Sequence, residues 1–337
     1  MPITIAFFDA TAKEKSSFEH YFTGSKYKLL IFGEPIQKVP LYEFKEAQII
    51  SVFTPSQVDA TMLSHLPKLK YIAARSTGID NIDSKACKKH GVAIGNVPGY
   101  GQTTVAEYAI MLMLMLARKM PAVQDSIRAG HIPYKKLTGF TLHGKTLGVL
   151  GTGKIGMSVV AIAKAMGMHV IAHDPFPNHE LAEKYSFSYV PAHELFKGAD
   201  VITLHTPLTP RTKHIINEKS LNLMKESAIL VNTARGELVE TSALIRALQS
   251  KKIAGVALDV VEGERTLDVD IESELFLGNN KVSYEIAEVD ILSKMNNVIL
   301  SPHNAFNSNE ALQFIRKTTA LNIQGFLEGK LKNNIKL

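Results

Sequence analysis

Three apolar runs each end in residues able to handle a small anionic substrate. Ile229-Leu230-Val231-Asn232-Thr233-Ala234-Arg235-Gly236 ends in an arginine, Val256-Ala257-Leu258-Asp259-Val260-Val261-Glu262-Gly263-Glu264 in three acids, and Ile299-Leu300-Ser301-Pro302-His303-Asn304-Ala305-Phe306 in a histidine. The planar guanidinium of Arg235 could fork a carboxylate, and an imidazole changes charge near neutral pH. Each segment alone has an ordinary reading: an exposed arginine, a solvated acidic turn, a histidine hydrogen-bonded beside a proline. Jointly, they place a cation, an acid and an imidazole at three strand ends, the edge at which open α/β sheets hold ligands.

Gly151-Thr152-Gly153-Lys154-Ile155-Gly156 supplies what should lie beside them. It follows the strand-like Thr146-Leu147-Gly148-Val149-Leu150 and precedes apolar positions at helical spacing from Met157 to Met168. A strand, a glycine turn and a helix form a pyrophosphate cradle: Gly151 for the tight turn, Gly153 for close approach, Gly156 for packing helix on strand. His169-Val170-Ile171-Ala172-His173-Asp174 reads as the next strand, and Asp174 falls 18 residues after Gly156, placed to accept the adenosine ribose hydroxyls. Its charge would repel a 2′-phosphate, and Pro175-Phe176-Pro177-Asn178 offers no arginine to receive one, so the pattern predicts NAD rather than NADP. The bland alternative is a turn whose glycines serve only packing.

Strand-like and helix-like segments alternate along most of the chain, which predicts an α/β protein with parallel sheets. A first unit has strands at Ile3–Phe8, Tyr27–Phe32, Ala47–Val52, Tyr71–Ala74 and Val92–Asn96, with helices at Thr11–Tyr21, Ser56–Ser64 and Asp83–His90. A second begins near Thr103 and adds strands at Val201–Leu204, Ala228–Asn232, Ile253–Leu258 and Val298–Leu300. The amphipathic segment Glu310–Leu327 is expected to return to the first unit, making that unit discontinuous in sequence.

The 337 residues suit two domains, and 45% hydrophobic residues can fill substantial cores. The net charge of +6 is spread along the chain in short clusters such as Lys88-Lys89 and Lys251-Lys252, which read as solvated faces, so no nucleic-acid partner is expected. One cysteine, Cys87, excludes an internal disulfide and suits a reducing compartment, and no Cys/His spacing suggests a metal. The N-terminal apolar run reads as a strand rather than a secretory signal. Ala109–Ala117, with its Met-Leu alternation, is far shorter than the ~20 residues of a membrane span and reads as a buried helix at a domain or subunit boundary. A cytoplasmic protein without membrane attachment is expected.

With these motifs in this order, and with Leu204-His205-Thr206-Pro207-Leu208-Thr209 between them, the chain resembles the D-isomer-specific 2-hydroxyacid dehydrogenases over nearly its whole length. Arg75-Ser76-Thr77-Gly78-Ile79-Asp80-Asn81-Ile82-Asp83 and Val97-Pro98-Gly99-Tyr100 with Val105-Ala106-Glu107 make it most similar to the D-lactate dehydrogenase branch. The resemblance implies two Rossmann-like or flavodoxin-like domains, with an NAD-binding domain at 102–303 inserted into a substrate-binding domain of 1–101 and 304–337. It implies Arg235 as carboxylate and carbonyl anchor, His303 as proton donor and Glu264 as the residue that holds and polarises His303. Further implied contacts are Ser76, Thr77, Gly78 and Tyr100 toward substrate, and Thr206, Pro207, Thr233, Ala234, Asp259 and Ala305 along the cofactor.

The implied reaction is reversible hydride transfer between NADH and a small 2-keto acid, pyruvate to D-lactate, by a homodimer. A glyoxylate or hydroxypyruvate reductase would keep the same three residues and differ in its pocket. In another class, an NAD-sensing corepressor-like binding protein can use the same fold.

Overall fold

The computed structural model describes residues 2–263 and 280–336. It divides into two compact units, one formed by Met1–Tyr100 with Asn307–Leu337, the other by Gly101–Phe306.

The first unit holds a five-stranded sheet of β1 (Ile3–Phe7), β2 (Tyr27–Ile31), β3 (Ile49–Val52), β4 (Tyr71–Ala74) and β5 (Ala93–Gly95), in the order β2-β1-β3-β4-β5. All its pairings are parallel. β3 and β4 are buried at every position, so they carry unbroken apolar or small runs rather than alternation. Helices start where the sequence supplies caps. Thr11 and Glu14 form a capping box for Ala12–Tyr21, Asp83 caps Ser84–His90, and Gly91 ends that helix in the left-handed region at φ 68°. The helix Asn309–Leu327, capped by Ser308, belongs to this unit despite its distance in sequence. Its Ala320 and Ile323 share a core with Phe7, Phe18 and Tyr71, and Phe326 stacks on Tyr71 with ring centroids 4.5 Å apart.

The second unit holds β6 (Thr146–Leu150), β7 (His169–His173), β8 (Ser188–Tyr189), β9 (Val201–Leu204), β10 (Ile229–Asn232), β11 (Gly255–Leu258) and β12 (Val298–Leu300). Their order, β12-β11-β10-β9-β6-β7-β8, is that of a doubly wound Rossmann sheet with one further strand, again parallel throughout. Strand order reverses between β6 and β9, which makes the carboxyl ends of those two strands the switch point. One face is covered by the helix Gln102–Ala117, whose Ala106, Ala109, Leu112 and Met113 are buried with Leu147, Val149, Val231 and Ala257.

The expected strands occur within two residues of their places at either end, and the differences are local. The helix after the glycine turn runs Lys154–Ala165 rather than from Met157, because extended Gly153 is its N-cap and the first turn, with exposed Lys154 and a glycine at 156, shows too little apolar period to mark its start. β8 has two residues, too few to show a periodicity. The stretch 121–140 contains most of a helix, Met120–Arg128, and a single 3-10 turn, Tyr134–Leu137.

Candidate active site

At the end of β6 the chain must turn sharply under another loop. Gly151 does so at φ 92°, and a β-carbon there would lie 2.6 Å from the His205 carbonyl oxygen. A β-carbon on Gly156 would lie 2.0 Å from the Gly151 carbonyl oxygen, so the helix can pack on the turn only with glycine at this position. Gly153 differs: space in front of its α-carbon is open to at least 4 Å, and no side chain caps the helix it begins. Two glycines are thus required by the protein's own backbone, while the third leaves a cradle beside unsatisfied helix N–H groups. That is the geometry a pyrophosphate needs.

Asp174 follows β7 on the same side of the sheet. Its Oδ2 accepts from the Thr152 N–H (2.7 Å) and hydroxyl (3.0 Å), and its Oδ1 from the Phe176 N–H (2.9 Å). Lys154 is exposed in the first helical turn and Ile155 packs into the core below. Beyond β9, His205 is hydrogen-bonded to Thr203 Oγ1 (2.9 Å), and burial pushes its imidazole down to about 3, so it is neutral at ordinary pH. Thr206 and Pro207 continue that loop, with the Pro207 carbonyl accepting from Thr212 Oγ1 (2.7 Å).

The ends of β10, β11 and β12 are tied together by a few polar groups. Buried Asn232 folds the loop after β10 on itself, accepting from Ala234 N–H (3.0 Å) and donating to the Arg235 carbonyl (2.8 Å). Arg235 thereby starts extended, at φ −144°, with one guanidinium nitrogen donating to the Ala234 carbonyl (2.7 Å). Thr233 Oγ1 is buried without a hydrogen-bond partner among the described residues, a polar atom a carboxamide could satisfy. Gly236 allows the loop to touch its neighbour: a β-carbon there would lie 2.1 Å from the Val261 backbone.

Asp259, 1% exposed, organises the loop that carries His303. Its Oδ1 accepts from Ser301 Oγ (2.6 Å) and Asn304 N–H (2.8 Å), its Oδ2 from Ala305 N–H (2.9 Å), and its own carbonyl accepts from His303 N–H (2.8 Å). His303 sits in the left-handed region at φ 49°, which costs a non-glycine residue about 1 kcal/mol or more and persists only where its surroundings impose it. Burial pushes the Asp259 carboxyl up, and the three donated hydrogen bonds and His303 pull it back. The sequence marked Asp259 as a strand-end acid without indicating these partners, which lie 42 to 46 residues away.

Glu262 is already engaged. Its Oε1 lies 2.6 Å from His214 Nε2 and its Oε2 accepts from the Thr241 N–H (3.0 Å) and hydroxyl (3.1 Å), so it braces the segment before the helix Thr241–Gln249. Glu264 lies outside the described residues.

In the first unit, Ser76, Thr77 and Gly78 form the loop after β4. Ser76 Oγ donates to the Gly78 carbonyl (2.6 Å), and Thr77 Oγ1 to the Val97 carbonyl (2.8 Å), leaving the backbone of a tight, fixed turn. Tyr100, half-buried, closes the sequence of that unit before the second begins. Residue types alone did not single out Arg75 beside this loop, although it is fully buried and hydrogen-bonded to the ends of β1 and β3.

Comparison with known proteins agrees with this geometry. Residues 110–305 match the family model of the D-isomer specific 2-hydroxyacid dehydrogenase NAD binding domain. The chain is 38% identical over 326 residues to 2-hydroxyacid dehydrogenase homolog 1 of Schizosaccharomyces pombe, covering 96% of each chain. It is 36% identical over 288 residues to the D-lactate dehydrogenase of Escherichia coli, covering 84% of each. Among solved structures, the D-lactate dehydrogenase of Aquifex aeolicus, complexed with NAD and lactic acid, superposes with a TM-score of 0.86 at 34% identity, covering 97% of this chain and 96% of that one. With its paired parallel sheets, glycine turn and ordered motifs, the chain belongs to the D-isomer-specific 2-hydroxyacid dehydrogenase family, in the D-lactate dehydrogenase-like branch, as an NAD-dependent oxidoreductase of 2-hydroxy acids.

Proposed function

We propose that the protein reduces pyruvate to D-lactate, reversibly, with Arg235, His303 and Glu264 as its catalytic residues. The observation that carries this reading is the fixed His303 loop, which Asp259 holds at the strand edge that also carries Arg235. Bound NADH supplies a hydride to C2 of the keto acid.

Arg235 orients the substrate through charge-assisted hydrogen bonds to its carboxylate, worth about 1.5–3 kcal/mol each, and its fixed fork does this better than a lysine could. His303, protonated, donates to the C2 oxygen as negative charge develops there and returns to the acid form from solvent. A glutamate beside it favours the imidazolium. Glu264 suits that role by its place in the family's motif, while Glu262 is engaged by His214 and Thr241. Within the cofactor unit, Gly151, Thr152, Gly153, Lys154, Ile155 and Gly156 cradle the pyrophosphate, Asp174 takes the ribose, and Thr206, Pro207, Thr233, Ala234, Asp259 and Ala305 follow the remainder. Ser76, Thr77 and Gly78 offer backbone donors to the substrate carboxylate, and Tyr100 contacts the substrate.

Substitution of Arg235 by Gln is expected to raise the keto-acid KM and lower kcat while NADH affinity stays unchanged. Glu264→Gln is expected to shift the pH dependence of keto-acid reduction, and an unchanged profile would remove Glu264 from the mechanism.

We also propose a cytoplasmic homodimer. Among the described residues no helix is long and apolar enough to cross a membrane. Met111 and Leu114 are about two-fifths exposed beside a cavity of about 500 Å³ that Met115 and Val123 also line, a face a second copy could cover.

The test is NADH oxidation by the purified protein with pyruvate, glyoxylate, hydroxypyruvate, oxaloacetate and bulkier 2-keto acids, with the product's chirality determined. Pyruvate preferred and D-lactate formed is the expected result. A different preferred acid would move the substrate, and NADH binding without turnover would favour a sensing role.

A further inference from the structure

The glycine turn is joined to β8 by a hydrogen-bonded chain whose direction is fixed. An ionised carboxylate only accepts, so Thr152 donates its hydroxyl proton to Asp174 Oδ2 at 3.0 Å. In the 2.8 Å contact between Thr152 Oγ1 and the Tyr189 hydroxyl, Tyr189 is therefore the donor. The Tyr189 oxygen in turn accepts from the Asn178 N–H at 3.1 Å, which ties in the loop that follows Asp174. The tyrosine ring is held edge-on against Phe187, at 5.1 Å between centroids, and against His179, at 5.8 Å.

This chain settles which acceptor sites of Asp174 remain. Each carboxylate oxygen has about two lone-pair sites. Both on Oδ2 are filled by Thr152, through its N–H and hydroxyl, and one on Oδ1 is filled by the Phe176 N–H. One site on Oδ1 is left for a ribose hydroxyl. Rotating the carboxylate aside to admit a 2′-phosphate would break all three bonds, and Tyr189 holds the Thr152 hydroxyl in the orientation that makes one of them.

We propose that Tyr189, acting through Thr152, is a positioning residue that sets the preference for NAD over its 2′-phosphorylated counterpart. The inference rests on the reading of Asp174 as the ribose acceptor. Tyr189→Phe removes one hydroxyl and keeps the ring packing, so the variant folds as the parent does.

The experiment is calorimetric titration of the purified full chain with NADH and with NADPH, for the parent, Tyr189→Phe, Thr152→Ala and Asp174→Ser. Tyr189→Phe is expected to narrow the ratio of the NADPH to NADH dissociation constants by about fivefold, the effect of one neutral hydrogen bond. Thr152→Ala should narrow it in the same direction, and Asp174→Ser should narrow it most. If Tyr189→Phe weakened both cofactors by the same factor, the hydroxyl would be merely structural and the proposal overturned. If its ratio were unchanged while that of Asp174→Ser collapsed, the positioning role would fail and Asp174 would stand. An unchanged ratio in Asp174→Ser would overturn the reading of Asp174 and the proposal with it.

Discussion

Arg75 in the first unit and Asp259 in the second each stand one residue past the strand next to a sheet edge, each almost wholly buried, yet they gather opposite kinds of group. Arg75 donates to the Phe8 carbonyl (2.5 Å), the Asp9 carbonyl (3.1 Å), and the Ser51 carbonyl and hydroxyl (3.3 and 3.2 Å), and its Nε pairs with Glu14 at 3.3 Å. Asp259 accepts from a hydroxyl and two N–H groups of the loop after β12. Strand ends present carbonyls, which a cation collects, and a loop curling over a strand end presents N–H groups, which an anion collects. The cation ties the ends of β1 and β3 into a floor next in sequence to Ser76–Gly78, and the anion holds a histidine in a backbone conformation it would not adopt alone. Both arrangements carry a cost: Asp9, at φ 52° beside Arg75, has its carboxyl pushed up by burial, as has Asp259.

The comparison implies that the floor matters most to stability and the loop most to turnover. Arg75→Met, which strands Glu14 and removes the donor to three carbonyls and the Ser51 hydroxyl, should destabilise the protein by about 3–5 kcal/mol, read from urea midpoints. A loss below that of Asp259 variants would break the comparison. Asp259→Asn should cost roughly 1–3 kcal/mol, because an amide cannot accept from all three donors. It should also lower kcat for keto-acid reduction more than Arg75→Lys does at matched folded fraction. Ser301→Ala removes one of the three bonds and should cost about 1 kcal/mol, with a correspondingly smaller kcat change.

The last effect is read as a slope against pH and concerns a neutral group at the same edge. Burial lowers the folded-state pKa of His205 to about 3 from 6.5, so below pH 6.5 protons bind the unfolded chain first. The stability involved is fully present above that pH and is lost as pH falls toward 3. Urea midpoints measured at several pH values in this window should fall less steeply for His205→Asn than for the parent.

The sheets were legible because parallel strands buried on both faces are short apolar runs, and Val201–Leu204 and Tyr71–Ala74 fall where such runs lie. β8 and the start of the helix at Lys154 were not legible, since two residues show no period and a first turn that includes Lys154 and a glycine shows too little of an apolar stripe. In the candidate site, residue types and spacing pointed to Arg235, His303 and the glycine turn, whose chemistry is local. The bracing was not visible. Asp259 reaches its partners across more than forty residues, Glu262 reaches His214 across 48, and Tyr189 lies 37 residues from the threonine it orients. Such pairings are set by strand order, which a one-dimensional pattern does not contain.

The central claim is that His303 performs acid–base chemistry on a loop separate from the cofactor cradle. The most direct test is to measure kcat for pyruvate reduction and the NADH dissociation constant together, in the parent and in His303→Gln. In His303→Gln, kcat is expected to fall by about 10²–10⁴-fold, the usual contribution of a positioned acid, with NADH affinity within about twofold of the parent. Retained turnover, or a loss of NADH affinity that matches the loss of turnover, would contradict it.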